Sequence, residues 1–460
     1  MIKEFINKAL QGVRIKDSFI QNYAVVLSGT GLNIAIQILV SPILTRIYGP
    51  EAYGIFSIFN ALCTNLALLA TMRLPQAILL PKLENDFSAL MRLSLLSALI
   101  VSVLLFFVLY VFGSHVLSFF QADGLIEFYY LIPIMVFLIS LNQVLGQWQY
   151  RLNAFKKSVT IDTGVLVGVR IFNLTFGWLS NGFSIGLVAG DMLGKTIGSV
   201  LSWKFIIKQR IKHLFQSIPN DQLKKTLKEY RQYPIYNLPG VWINMVSDQL
   251  PVFFFSHLFG LKTIGLLALA TSMLDLPKRL LAYSVSSIFY KKAVELKEKS
   301  KGELQQFVSQ MLYSFLALSL VPYALVVVFG PELFSFVFGP DWTLSGTLAQ
   351  YIAIYSILEL LYISLDSIYY VLREEKKMFF FQLATFTARF SVLSIAFVGS
   401  FTLEKSVLCL VVVNAVLYGS QLSYILRLLG LKWWKYLLNI VTLVIMTFGA
   451  LYGIKILFVN

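Results

Sequence analysis

Eleven charged side chains stand inside otherwise apolar stretches of this chain: Arg73, Arg170, Asp191, Lys195, Asp248, Asp275, Lys278, Arg279, Glu359, Asp366 and Arg389. Their types suggest two kinds of chemistry. A guanidinium offers two parallel N–H donors that match a phosphate or carboxylate. Arg73, Arg170, Lys195, Arg279 and Arg389 are therefore the candidate anion-binding cations. The carboxylates Asp191, Asp248, Asp275, Glu359 and Asp366 have two roles open to them: to bind a proton or sodium ion, or to act as counter-ions to the cations. Spacing separates some of these roles. Asp191 and Lys195 stand i, i+4 and can neutralise each other, and Asp275 can do the same with Lys278 or Arg279. Glu359 and Asp366 are seven apart and share a helix face. Arg170 and Arg389 have no acid nearby in sequence and are expected to face a cargo.

Energy decides where such groups sit. Each costs roughly 2.5–3.5 kcal/mol at a lipid-facing helix centre. The set would cost about 30 kcal/mol, against the ~5–15 kcal/mol stability of a typical fold. The charges must face one another or a hydrated cavity.

Other chemistries find no support. His115, His213 and His257 are scattered, so no metal cluster or nucleophile triad is expected. Cys63 and Cys409 both fall in apolar stretches and are read as packing residues. Ala189-Gly190-Asp191-Met192-Leu193-Gly194-Lys195-Thr196 fits a relaxed phosphate-loop pattern, but it lies within an apolar helix with no strand before it. No cofactor, metal or enzymatic activity is expected, and any transport would draw on a gradient or downstream pull.

The elements that position these residues are transmembrane helices. The chain has 460 residues, 57% hydrophobic and only 13% charged, with a mean hydropathy of +0.74. Soluble domains carry about 25% charged residues. Repeated apolar runs of about 20 residues mark an all-α polytopic membrane protein. Spans are expected at about 22–45, 52–80, 88–112, 126–149, 158–179 and 184–206, then at about 233–257, 263–290, 306–330, 345–372, 378–399 and 404–427. Residues 436–458 add a thirteenth.

The domain reading follows. Residues 1–21 form an interfacial amphipathic segment, 22–206 a six-helix bundle, 207–232 a basic cytoplasmic linker, 233–428 a second six-helix bundle, and 429–460 the extra helix. An even number of spans per half makes the halves a parallel pseudo-repeat around a central cavity. Gly49 with Gly54 echoes Gly260 with Gly265 at the first hairpin of each half. Of the Lys and Arg in the loops and at the span ends, 28 fall on the N-terminal side and 4 on the other, which places the N-terminus in the cytoplasm. That split assigns the +15 net charge to loops meeting anionic lipid, not to nucleic acid. Pro234, Pro239 and Pro251 crowd the seventh span and mark it as a gate. Trp148, Trp178, Trp203, Trp342, Trp433 and Trp434 fall near span ends and read as an interfacial belt, while Trp242 and Tyr236 lie inside the seventh span.

One stretch carries a family signature. Pro42-Ile43-Leu44-Thr45-Arg46, then Tyr48-Gly49-Pro50-Glu51-Ala52-Tyr53-Gly54, then Arg73 with Ala77-Ile78 and Pro81, resembles the start of the polysaccharide-biosynthesis export family. These are the Wzx-type flippases of lipid-linked oligosaccharides. Phe338-Gly339-Pro340-Asp341-Trp342 is a weaker echo. The resemblance implies the multidrug/oligosaccharidyl-lipid/polysaccharide exporter fold and the bacterial inner membrane. It also implies a polyprenyl-pyrophosphate-linked glycan as cargo for O-antigen, capsule or exopolysaccharide synthesis, with other polysaccharide assembly proteins as partners. An arginine-lined cavity would replace the solvation of a pyrophosphate while the polyprenyl tail stays in lipid, and the halves would rock in alternating access. Two alternatives remain open: a cation-coupled multidrug exporter of the same fold, expected to have an acidic cavity, and a membrane polysaccharide polymerase or ligase, expected to have a large outer loop.

Overall fold

The computed structural model describes residues 17–81, 83–119, 123–126, 128–152, 154–210 and 218–459. The amphipathic segment expected at 1–21 lies almost wholly outside them. Among the described residues all regular structure is helical. Lobe one holds α1 (Asp17–Ile47), α2 (Pro50–Thr71), α3 (Glu84–Phe119), α4 (Leu131–Arg151), α5 (Phe155–Leu179) and α6 (Ile185–Arg210). A short helix, α7 (Asn220–Glu229), leads into lobe two.

Lobe two begins with α8 (Leu238–Lys278), whose two limbs meet at Gly260. There φ is +79°, a conformation open to glycine at little cost. The chain continues through a π turn (Arg279–Tyr283) into α9 (Ser284–Lys299). Then come α10 (Lys301–Phe338), α11 (Thr343–Leu365), α12 (Ile368–Leu372), α13 (Glu375–Val398), α14 (Leu403–Leu428) and α15 (Trp433–Val459).

Eleven helical stretches among the described residues are long and apolar enough to cross a membrane. One of them, Tyr233–Ala282, is 50 residues long and makes two passes about Gly260. The charged α6 packs beside α4 and α5 and completes the first six-helix lobe. The pairing pattern repeats between lobes. α1 packs on α5, α2 on α4, α4 on α6 and α5 on α6. In lobe two the first limb of α8 stands where α1 does and the second where α2 does; α8 packs on α13 and α11, α11 on α14, and α13 on α14. The two halves are thus parallel repeats, as the even span count requires.

Burial sorts the helices. The stretches holding α2 and α11 are each 61% buried, so these two helices form the inner walls. α15 is 6% buried and rides on lobe two through Tyr436–Ser309, Asn439–Tyr313 and Lys455–Glu332. The two faces of the bundle differ. One carries the short turns at Gly49, Gly182, Gly260, Gly339 and Ser400 and is poor in basic residues. The other carries α7, α9 and most Lys and Arg. We call them the sparsely charged and the basic face.

The tryptophan reading needs correction. Trp178 is exposed, as a lipid-interface residue should be, but Trp148 and Trp342 are 4% and 1% exposed. Both rings fill helix contacts: Trp148 packs edge-on against Phe87, and Trp342 against Tyr53. The indole N–H of Trp342 also finds a buried carbonyl, that of Thr45.

Candidate functional site

A cavity of about 830 Å³ lies between the lobes at the middle depth of the bundle. Its walls come from α1, α2, α5 and α6 on one side and α8, α11, α13 and α14 on the other. Five basic side chains (Arg170, Lys195, Lys278, Arg279, Arg389) and four acidic ones (Asp191, Asp248, Asp275, Glu359) line it. Nine of the eleven intramembrane charges therefore meet in one place, as their desolvation cost demands.

Lobe two holds its charges in a continuous network. Arg389 is 5% exposed, at mid-length of α13. Its Nη1 donates to Asp248 (2.6 Å) and Ser247 (3.1 Å), its Nε to Asn414 (2.8 Å) and its Nη2 to Tyr418 (2.8 Å). Tyr418 in turn donates to Glu359 (3.1 Å), whose other oxygen accepts from Lys278 (2.7 Å). Lys278 also pairs with Asp275 at 2.7 Å. The chain Asp248–Arg389–Tyr418–Glu359–Lys278–Asp275 thus stitches α8, α11, α13 and α14 together. Its cations are buried behind the wall. The side chains of Asp248 and Asp275 stay 53% and 41% exposed toward the cavity. Arg389 has no acid nearby in sequence, but α8 supplies one, and its donors are engaged inside the lobe.

Lobe one is less neutralised. Asp191 and Lys195 pair at 3.3 Å, as their spacing suggested. Arg170, on the facing helix α5, has a buried Nε with no partner among the described residues. Arg170 shares the cavity wall with Tyr53 and Asp191, and Arg279 lines the same cavity from lobe two. Lobe one thus brings Arg170 to the cavity and lobe two brings Arg279. Both line the same cavity, the geometry of a site for an anion with several oxygens.

Two of the expected residues lie elsewhere. Met72 and Arg73 adopt left-handed conformations (φ 50° and 59°) that end α2 and start a 3-10 turn, Leu74–Leu79. Arg73 Nε donates to Asn237 Oδ1 (3.0 Å) in the π turn before α8, so it bridges the lobes toward the basic face, outside the cavity lining. The rest of that signature has a structural use: the carbonyls of Ile78 and Pro81 accept from Arg151 at 3.3 and 2.8 Å. Asp366 sits at the break between α11 and α12, also outside the lining. Of the prolines, Pro251 lines the cavity, Pro234 lies in the π turn Tyr233–Asn237 and Pro239 opens α8. Trp242 and Tyr236 do not line it.

Sequence reasoning underweighted several participants. Lys278 pairs with Asp275, as the spacing allowed, but it is 7% exposed and also joins Glu359 from another helix. Ser247, Asn414 and Tyr418 were not singled out. The available signal was faint: polar side chains at mid-span, one beside Asp248.

With this geometry in hand, comparison with known proteins is informative. Residues 43–346 match the model of a family described as polysaccharide biosynthesis protein. Among proteins with curated descriptions none matches. Solved structures share the fold over nearly the whole chain. An inward-facing multidrug resistance MATE family transporter of the MOP superfamily superposes with a TM-score of 0.68 at 15% identity, covering 89% of this chain and 98% of that one. An outward-facing MATE transporter gives 0.59 at 14% identity, covering 89% and 95%. A MOP superfamily transporter from Pyrococcus furiosus, described as having a binding pocket of reverse polarity, gives 0.59 at 14% identity, covering 90% and 95%. At such identities the likeness shows the fold alone, two helical lobes.

Proposed function

We infer the function from one premise: the chain belongs to the polysaccharide biosynthesis protein family. On our reading it is a flippase that moves a polyprenyl-pyrophosphate-linked oligosaccharide from the cytoplasmic to the outer leaflet of a bacterial inner membrane. The glycan serves O-antigen, capsule or exopolysaccharide synthesis. The observation that carries this reading is the pair Arg170 and Arg279, one from each lobe, lining one cavity. A pyrophosphate has oxygens enough to take a guanidinium from each side, and bound there it relieves the repulsion between them. The glycan occupies the hydrated cavity and the polyprenyl chain stays in lipid. Because the anion site is shared between lobes, occupancy favours their approach, which is what alternating access needs. The positive-inside pattern supports a cytoplasmic basic face.

The network of lobe two narrows the ion-coupling role. Asp191 and Glu359 are paired with lysines, and Asp248 with Arg389. Asp366 meets the backbone of Ser367 and, among the described residues, no cation. It is the carboxylate we assign to any proton or sodium step.

A second reading has its own observation. The exposed carboxylates of Asp248 and Asp275 favour a cationic cargo, as a multidrug exporter of this fold would carry. Transport by purified protein in liposomes separates the two. A diphosphate-linked glycan should cross and an organic cation should not; the reverse result selects the exporter.

A further inference from the structure

The sparsely charged face carries bonds between the lobes that the cavity itself does not require. Thr45, in the last turn of α1, shares its one hydroxyl proton between the carbonyl of Phe338 at 3.2 Å and that of Pro42 in its own helix at 3.1 Å. Its own carbonyl accepts from the Trp342 indole Nε1 at 3.1 Å. Donor and acceptor thus run in both directions between lobe one and lobe two, in a buried setting where neither partner has water to fall back on. One turn into α2, the Tyr53 ring packs edge-on against Trp342, centroids 5.1 Å apart. Beside it Gly54 and Gly265 let α2 and the second limb of α8 touch backbone to backbone. A Cβ on Gly54 would overlap the Leu261 carbonyl, and one on Gly265 the Pro50 carbonyl. The echo of glycines between the two halves is therefore one contact, made by both members.

Tyr53 also belongs to the cavity. It lines the wall together with Arg170. One side chain therefore touches both the interlobe contact and the anion site.

We propose that Thr45, Phe338 and Trp342 form the outer gate and that Tyr53 links the gate to an anion bound at Arg170. With the cavity empty, Tyr53 packs against Trp342, and the gate is shut. A diphosphate bound at Arg170 shares the wall with Tyr53 and accepts a hydrogen bond from its phenol. Tyr53 then leaves the Trp342 edge, the indole loses its packing wall, and the two reciprocal bonds become easier to break. An anion bound differently in the two states is what shifts such an equilibrium. The linkage rests on the anionic cargo read above; the gate does not.

The test uses the full-length protein with Cys63→Ser and Cys409→Ser, spin labels on Phe183→Cys in lobe one and Glu404→Cys in lobe two, and pulsed distance measurement in lipid nanodiscs. Both labelled positions are exposed near the sparsely charged face. The parent should give one short distance. Thr45→Ala, and the milder Trp342→Phe should the first variant fold poorly, should each raise the long-distance population about five-fold, the factor that one net hydrogen bond corresponds to. Populations unchanged in both variants overturn the gate. Undecaprenyl diphosphate should raise the long-distance population in the parent but not in Tyr53→Phe, which keeps the ring and loses the phenol oxygen. An equal rise in Tyr53→Phe, or binding without any change in the parent, overturns the linkage. If the diphosphate does not bind at all, the cargo reading and the linkage fall together, and the variants still decide the gate.

Discussion

Two arginines with the same sequence context do different work. Arg389 is a buried cation whose removal would strand Asp248, Asn414 and Tyr418. Breaking a buried pair costs about 3–5 kcal/mol; Asp248 remains half exposed, so about 3 kcal/mol is expected for Arg389→Ala. A clear drop in melting temperature of the purified protein checks this, and Asp248→Asn should cost less because the amide oxygen still accepts. Arg170 is the opposite case. Its Nε has no partner among the described residues, and nearby Asp191 keeps Lys195. Arg170→Ala should leave the melting temperature nearly unchanged and cut transport about ten-fold or more. The sequence could not separate the two residues. Asp248 lies 141 positions from Arg389, and only the fold brings them together.

At the scale of elements, the spans and their order were legible because apolar runs of membrane length have no other stable state. Hairpin turns were legible for the same reason. The depth of Arg73 was not. It depends on α2 ending in two left-handed residues, a feature with no distinct sequence sign at Met72-Arg73. Trp342 was misplaced because an aromatic at a span end is usually interfacial, whereas this one fills the seam between lobes. Two predictions belong here. Gly54→Val should push α2 away from the second limb of α8; a cysteine at Ser57, which lines the cavity, should then react faster with an impermeant maleimide added from outside.

The second concerns α9, which extends from the basic face. There Glu295 accepts from Lys299 (2.8 Å) and Lys292 (3.2 Å), which hold its carboxyl below the usual range. A depressed carboxylate contributes stability above its unfolded value, about 4, and loses it as pH falls through the lower folded value. Protection factors of the α9 amides, with the intrinsic exchange rate at each pH divided out, should thus stay flat from pH 7 to 5 and fall only in stronger acid.

The whole molecule is two parallel six-helix lobes around a charged cavity, closed together on the sparsely charged face by Thr45, Trp342 and paired glycines. The even span count and the glycine echo anticipated the repeat, and the cost of eleven intramembrane charges anticipated a shared cavity. The joining of Asp248, Arg389, Tyr418, Glu359, Lys278 and Asp275 into one network was invisible, since it is set by side-chain geometry across helices. The measurement that tests the central claim most directly is translocation of a polyprenyl-diphosphate oligosaccharide in inside-out membrane vesicles, comparing the wild type with Arg170→Ala at matched protein levels. The account predicts transport by the wild type and a loss of about ten-fold or more in the variant, the worth of a hydrogen-bonded charge. Equal transport by both would contradict it, as would a wild type that moves an organic cation and no glycan.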